Sequence, residues 1–247
     1  MLGVVLAVGS WVVLLSLWCW WAVLPGRRRW LAARPSGQKA RCLVVLGSGG
    51  HTAEMFYDLA SLGECLQRIH LRYLVADTDR SSQAKAEAFE AHHGSGSADV
   101  VRVPRAREVG QSYWSSILTT LRAAWFSLLA VLSDPPDVVV ANGPGTCVPV
   151  VFAAYVARAL RVRDVGVIYS ESFACVEHLS LSGRLLYRFA DHFTVQWPQL
   201  LPAHPKAKYA GRLSPAREAE ASRQGAEPLT PPRLEAPVSS SSSSSAA

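Results

Sequence analysis

Met1 to Leu24 contain no charged side chain, and Pro25 to Arg41 contain no acid. Six bases crowd that second stretch, Arg27, Arg28, Arg29, Arg34, Lys39 and Arg41, as many as the whole chain's formal net charge of +6. The remainder is neutral, which excludes a DNA or RNA function, because a nucleic-acid binder carries its excess charge on the folded surface that meets phosphate. Here the excess borders an apolar run, the pattern of a basic flank at a membrane face. There is no C-x-x-C pair either. Cys19, Cys42, Cys65, Cys147 and Cys175 are odd in number and far apart, which excludes a disulfide framework and a zinc site. Cys42 and Cys147 sit in or beside apolar runs and read as small buried hydrophobes, and a reducing compartment is expected.

The first 24 residues also lack the positive start and small-residue cleavage site of a secretory signal. They are long enough to span a bilayer, which takes about 20 apolar residues, and Trp18, Trp20 and Trp21 crowd the end that Arg27–Arg29 follow. An uncleaved anchor over 1–24 is expected, with 25–41 a basic linker. The positive-inside tendency leaves the N-terminus lumenal and the rest cytosolic. At the other end Ser214–Ala247 is rich in Ser, Ala and Pro and closes on Ser239–Ser245. With only Leu229, Leu234 and Val238 to bury, it reads as a disordered tail.

Between these, 42–213 is room for one Rossmann-like domain. Short β-branched runs alternate with helical stretches, which predicts an α/β fold, a parallel sheet flanked by helices. The strands are Cys42–Leu46, Leu71–Ala76, Val100–Val103, Asp137–Ala141, Val165–Tyr169, His192–Gln196 and a weak Lys208–Ala210. The helices are Thr52–Leu62, Gln83–His92, Ser115–Leu132, Val150–Leu160 and His178–Ala190. In the third helix Ile117, Leu118, Leu121, Ala124, Trp125, Leu128, Leu129 and Leu132 recur at helical spacing. That face fits packing on the sheet, or contact with a bilayer.

Chemistry concentrates at two strand ends. Gly47, Ser48, Gly49 and Gly50 join the first strand to a helix, a turn that offers free N–H groups and a positive dipole end to phosphate. His51 could bond a phosphate, act as a base on a hydroxyl, or equally cap the helix or sit in the core. Glu54 suits helix capping. Thr52 stands where a dinucleotide fingerprint wants a third small residue, which weakens that reading. Asn142, Gly143, Pro144, Gly145 and Thr146 follow the fourth strand and open into the same cleft. Ser170, Glu171 and Ser172 end the fifth, where Glu171 could bind sugar hydroxyls or hold a neighbouring loop. Arg105 and Arg107 could clamp a diphosphate or form a solvated turn.

These stretches, Gly47-Ser-Gly-Gly-His-Thr52 with Glu54, Val75-Ala-Asp-Thr-Asp79, Asn142-Gly-Pro-Gly-Thr-Cys-Val-Pro149, Ser170-Glu-Ser172, Ser180-Leu-Ser-Gly183 and Val195-Gln-Trp-Pro198, carry a resemblance. The chain resembles the asparagine-linked glycosylation protein fourteen family, the membrane-anchor subunits of the dolichol-linked N-acetylglucosaminyltransferase. The resemblance implies the acceptor-binding half of a GT-B glycosyltransferase. A soluble subunit, asparagine-linked glycosylation protein thirteen, would supply the half that binds UDP-GlcNAc. Together they would add the second GlcNAc to GlcNAc-diphosphodolichol on the cytosolic face of the endoplasmic reticulum membrane, the chain alone being inactive. The resemblance implies no cofactor and no metal. It puts His51 and Glu171 in catalytic roles and the other turn residues at the acceptor and its diphosphate. The family ends soon after the equivalent of Gly211-Arg212, and its C-terminus helps hold the partner; the Ser-rich tail here predicts weakened assembly. Two other readings stay open, a membrane scaffold for the partner and an anchored dinucleotide-dependent oxidoreductase with Asp77 or Asp79 on the ribose.

Overall fold

The computed structural model describes residues 38–93, 98–106, 113–143 and 145–210. The predicted anchor, most of the basic linker, the Ser-rich tail, Arg107 and Pro144 lie outside the described residues.

Among the described residues seven strands form one sheet: β1 (Ala40–Val45), β2 (Ile69–Ala76), β3 (Asp99–Val103), β4 (Val138–Asn142), β5 (Gly166–Ser170), β6 (His192–Val195) and β7 (Lys208–Tyr209). Every pairing is parallel, in the order β3-β2-β1-β4-β5-β6-β7. The connecting helices are α1 (Gly50–Ala60), α2 (Arg80–His93), α3 (Tyr113–Ser133), α4 (Cys147–Ala159) and α5 (Leu181–Leu186). Each predicted strand is present, and the weak last one pairs through Thr194 and Val195. The near-continuous Val, Leu and Cys content of β1 and β4 suits strands buried on both faces, as parallel sheets require.

Side chains alternate between two cores. Val45, Leu74, Val139, Val167 and Phe193 pack under α4. Cys42, Val44, Tyr73 and Val75 pack under α1, which contributes Met55, and α2. Full burial with no countercharge pushes the Cys42 thiol up to about 12, so it is an apolar filler and not a nucleophile. An ion pair between Arg158 and Asp191, both buried, ties α4 to the turn before β6, and Asp191 also accepts from Val167 N at 2.8 Å.

One helix differs from the expectation. His178–Ala190 is reduced to α5, capped by Ser180, whose Oγ accepts from Gly183 N at 2.9 Å; the residues before it belong to a loop held from outside the helix. In α3 the inward face is built from small side chains, Ala123, Ser127 and Val131, one turn apart, so α3 packs closely on α4. The large side chains Leu118, Leu121, Trp125 and Leu129 therefore point outward and are exposed. By length and composition Ser116–Ser133 is also apolar enough to cross a membrane.

One face of the sheet is unevenly covered. Beyond α1 no described helix lies over β5 and β6, and a cavity of about 400 Å³ opens there, lined by Met55, Asp58, Leu59, Val140, Ile168 and Thr194.

Candidate functional site

The strand order reverses between β1 and β4, so the turns after these neighbours diverge and leave a crevice at their carboxyl ends. Both glycine-bearing segments singled out from sequence end there. Gly49, at φ +71°, turns the chain into α1, whose N-terminus has no side-chain cap. That leaves its first N–H groups free for an acceptor from outside. Ser48 is exposed and its Oγ accepts from Arg105 at 2.9 Å, so a hydroxyl, a guanidinium and the helix end converge on one spot.

Thr52 is not in the cleft. Its side chain is buried, donates to Gly47 O, and meets Ser82 Oγ at 2.6 Å. Ser82 in turn donates to Asp79 at 2.6 Å, and Asp79 accepts from Ser82 N at 3.1 Å and Ser81 Oγ at 2.9 Å. Burial alone would raise the Asp79 carboxyl; the Ser82 and Ser81 bonds and the Arg105 charge outweigh it and hold it below the usual range. The threonine is thus a brace between the glycine turn and the start of α2. Asp79 is occupied at that helix end, which leaves it poorly placed for a ribose.

Across the crevice Asn142, the chain's only asparagine, is buried and donates through Nδ2 to His51 O at 2.8 Å. Its Oδ1 is buried without a partner among the described residues. Gly143 sits at φ +63°, donates its N–H to Tyr169 Oη at 3.1 Å, and lies flat against the His51 ring. A Cβ at Gly143 would strike His51 Cε1 and come within 2.7 Å of Nδ1. His51 Nδ1 stands 3.5 Å from Glu54 Oε2. Glu54 does not cap α1, since it lies beyond the first turn; its other oxygen accepts from Ser172 Oγ at 3.1 Å. Gly145 is exposed beside this turn and Thr146 is buried where α4 begins.

Glu171 has the loop-holding geometry. It is 1% exposed, and its two oxygens accept from Ser172 N at 3.0 Å and Ser180 N at 3.1 Å. Gly183 lies directly against Oε2. Tyr169 Oη, which receives Gly143, also meets Ser180 Oγ at 3.1 Å, so one hydroxyl links this loop to the β4 turn. Ser170 is buried, accepts from Gln196 Nε2 at 3.3 Å and bonds Asp58.

Sequence reasoning gave no site role to Tyr169, Ser180 or Asp58. Tyr169 hides among the apolar residues of a strand, and Asp58 reads as an ordinary polar position of a helix. Burial pushes the Asp58 carboxyl up to about 6, with the Glu54 charge adding to it and the Ser170 bond opposing it. A folded-state value above the unfolded one means the group costs nothing while protonated in both states and destabilises as pH rises from about 4 to about 6. Asp58→Asn is expected to stabilise by about 1–2 kcal/mol at pH 7.5, after discounting for partial solvation, and to have little effect at pH 3.5. Melting curves at the two pH values check this; an equal effect at both contradicts it. Among the described residues no group of three His, Cys, Asp or Glu is placed to hold a metal ion.

The family model described as "Oligosaccharide biosynthesis protein Alg14 like" matches residues 42–213. The chain is 41% identical over 178 residues to the UDP-N-acetylglucosamine transferase subunit ALG14 of Homo sapiens, covering 69% of this chain and 82% of that one. It is 38% identical over 217 residues to the subunit of the same name in Yarrowia lipolytica, covering 86% of this chain and all of the other. Among solved structures, Acinetobacter baumannii MurG is similar with a TM-score of 0.48 at 16% identity, over 65% of this chain and 42% of that one.

Proposed function

The chain belongs to the Alg14 family, and from that membership we propose that it is the acceptor-binding, membrane-anchoring subunit of a two-subunit UDP-GlcNAc transferase. It recruits a soluble donor-binding subunit, asparagine-linked glycosylation protein thirteen, and the pair adds the second GlcNAc to GlcNAc-diphosphodolichol. The observation that carries this reading is the crevice between β1 and β4. An uncapped helix end with Ser48 and Arg105 suits a diphosphate, and His51 beside it suits a sugar hydroxyl. In the reaction the acceptor hydroxyl oxygen bonds the donor's anomeric carbon, the bond from that carbon to UDP breaks, and the hydroxyl proton passes to His51.

Two surfaces support the assembly. The described fold is one Rossmann-like sheet with an apolar cavity beyond α1, suited to a second protein. The outward face of α3 carries Leu118, Leu121, Trp125 and Leu129 with Arg122 as its lone charge. It suits the bilayer from which a lipid-linked acceptor must come. Thr119 and Thr120 bond Ala106 O at 2.8 and 3.1 Å, so that face begins beside Arg105. The cytosolic face of the endoplasmic reticulum, with the N-terminus lumenal, follows from the uncharged first 24 residues and the bases behind them.

The test supplies the full chain, the soluble partner, UDP-GlcNAc and GlcNAc-diphosphodolichol to membranes lacking the endogenous anchor subunit, with partner pull-down in parallel. Product together with weakened pull-down is expected; pull-down with no product overturns acceptor binding, and loss of both overturns partner recruitment by a chain with this Ser-rich C-terminus. Asn142→Ala keeping pull-down but losing transfer separates this reading from a pure scaffold, which tolerates the change. Leu121→Glu with Trp125→Glu is expected to lose activity on the long-chain acceptor in membranes while keeping it on a short-chain acceptor in detergent.

A further inference from the structure

His51 and Glu54, three residues apart on α1, share one helix face. Nδ1 of the imidazole and Oε2 of Glu54 are both sealed from solvent, have no hydrogen-bond partner among the described residues, and face each other at 3.5 Å. The remaining Glu54 oxygen is fixed by Ser172 Oγ from the β5 turn at 3.1 Å. Asn142 holds the His51 carbonyl, and Gly143 lies against the ring. Three separate elements therefore determine where this imidazole sits, while the side chain as a whole stays 34% exposed. With Nδ1 closed off, the open edge of the ring is the Nε2 side.

We propose that Glu54 is a positioning residue for His51, itself set by Ser172, and that it holds the proton on Nδ1 so that Nε2 offers its lone pair to the cleft. This assignment rests on the acceptor-binding reading above for its purpose, and on the geometry alone for the tautomer. A neutral imidazole carries one proton; which nitrogen takes it is set by what the other edge faces. A carboxylate at Nδ1 fixes that choice and also stabilises the imidazolium formed when Nε2 accepts the hydroxyl proton. When the product leaves, that proton departs from Nε2 to water and the ring returns to its starting form. No other group needs to change charge. Ser172 matters because a carboxylate with both oxygens loose rotates, whereas one tethered by a hydroxyl presents a single oxygen to the ring.

The experiment uses the full chain in complex with its partner and compares wild type, Glu54→Gln, Glu54→Ala and Ser172→Ala. Two readouts are taken: kcat and acceptor KM, and the nitrogen shifts of 15N-histidine with the His51 signal identified by its loss in His51→Gln. In the wild type His51 is expected to carry its proton on Nδ1. Glu54→Ala is expected to lower kcat about 10²-fold to 10³-fold with KM within about threefold. It also redistributes the proton towards Nε2. Glu54→Gln, which keeps shape but not charge, should fall between; Ser172→Ala should cost about tenfold. The proposal is overturned if the wild-type proton sits on Nε2, or if Glu54→Gln and Glu54→Ala leave both tautomer and kcat unchanged. Were Glu54→Ala not to fold, Ser172→Ala, which removes one hydroxyl, decides by the same two readouts. An inactive wild-type complex whose His51 proton moves with Glu54 supports the positioning role and removes the transferase reading, so the two fail separately.

Discussion

Gly183→Ala is expected to destabilise the domain by about 2–4 kcal/mol, more than the usual surface or small-to-small change. The new methyl would run into Glu171 Oε2, with Glu171 Cδ at 3.0 Å and Ser180 Oγ at 3.1 Å behind it. A free glutamate would swing aside. This one cannot: it is buried, and moving Oε2 breaks the bond from Ser180 N, leaving a donor and a carboxylate unpaired in the interior. Urea or thermal melts check the size of the effect. A double-mutant cycle checks its cause, because Gly183→Ala placed in a Glu171→Ala background should be close to neutral. An unchanged melting point for the single variant contradicts the picture of a pinned carboxylate.

Gly143→Ala is expected to reverse the balance, with a modest stability cost and a large functional one. At φ +63° an alanine is strained by about 1–2 kcal/mol, which a domain of this size tolerates. The same methyl meets the His51 ring, whose Nε2 would lie 3.2 Å away, and the ring must rotate off its contact with Glu54. On the proposed role of His51 as the base, displacing its ring by about 1 Å costs on the order of 10²-fold in rate. Transfer by the reconstituted complex should therefore drop about 10²-fold while the partner is still pulled down. Activity within twofold of wild type would show that the ring position is immaterial.

The sheet was legible because parallel strands buried on both faces leave runs such as Leu43–Leu46 and Val138–Ala141 that nothing else explains. The two turns were legible for a related reason, as glycines directly after such runs mark strand ends in a doubly wound fold. What pattern could not supply was pairing across long separations. Glu54 looks like a capping residue until Ser172, 118 positions on, is found beside it. Glu171 looks like a candidate for a sugar until the loop at Ser180 and Gly183 encloses it. In α3 hydrophobicity alone fits packing on the sheet or contact with a bilayer, and side-chain volume is what separates the two faces. Ala123, Ser127 and Val131 line the close approach to α4, Leu128 and Leu132 pack at its margin, and Leu118, Leu121, Trp125 and Leu129 face out.

The register between β1 and β4, with Cys42 opposite Val138 and Val45 opposite Ala141, also bears on how the protein is made. A ribosome extends the chain at about 5–20 residues per second, so one edge of β1 waits several seconds for its neighbour. Until then the glycine turn exists without Asn142 or Gly143, and His51 has no wall to rest against. A nascent chain stopped short of β4 would hold the more recognisable of the two motifs and none of the crevice. Its unpaired strand edge would be open to chaperones, or to another unfinished copy.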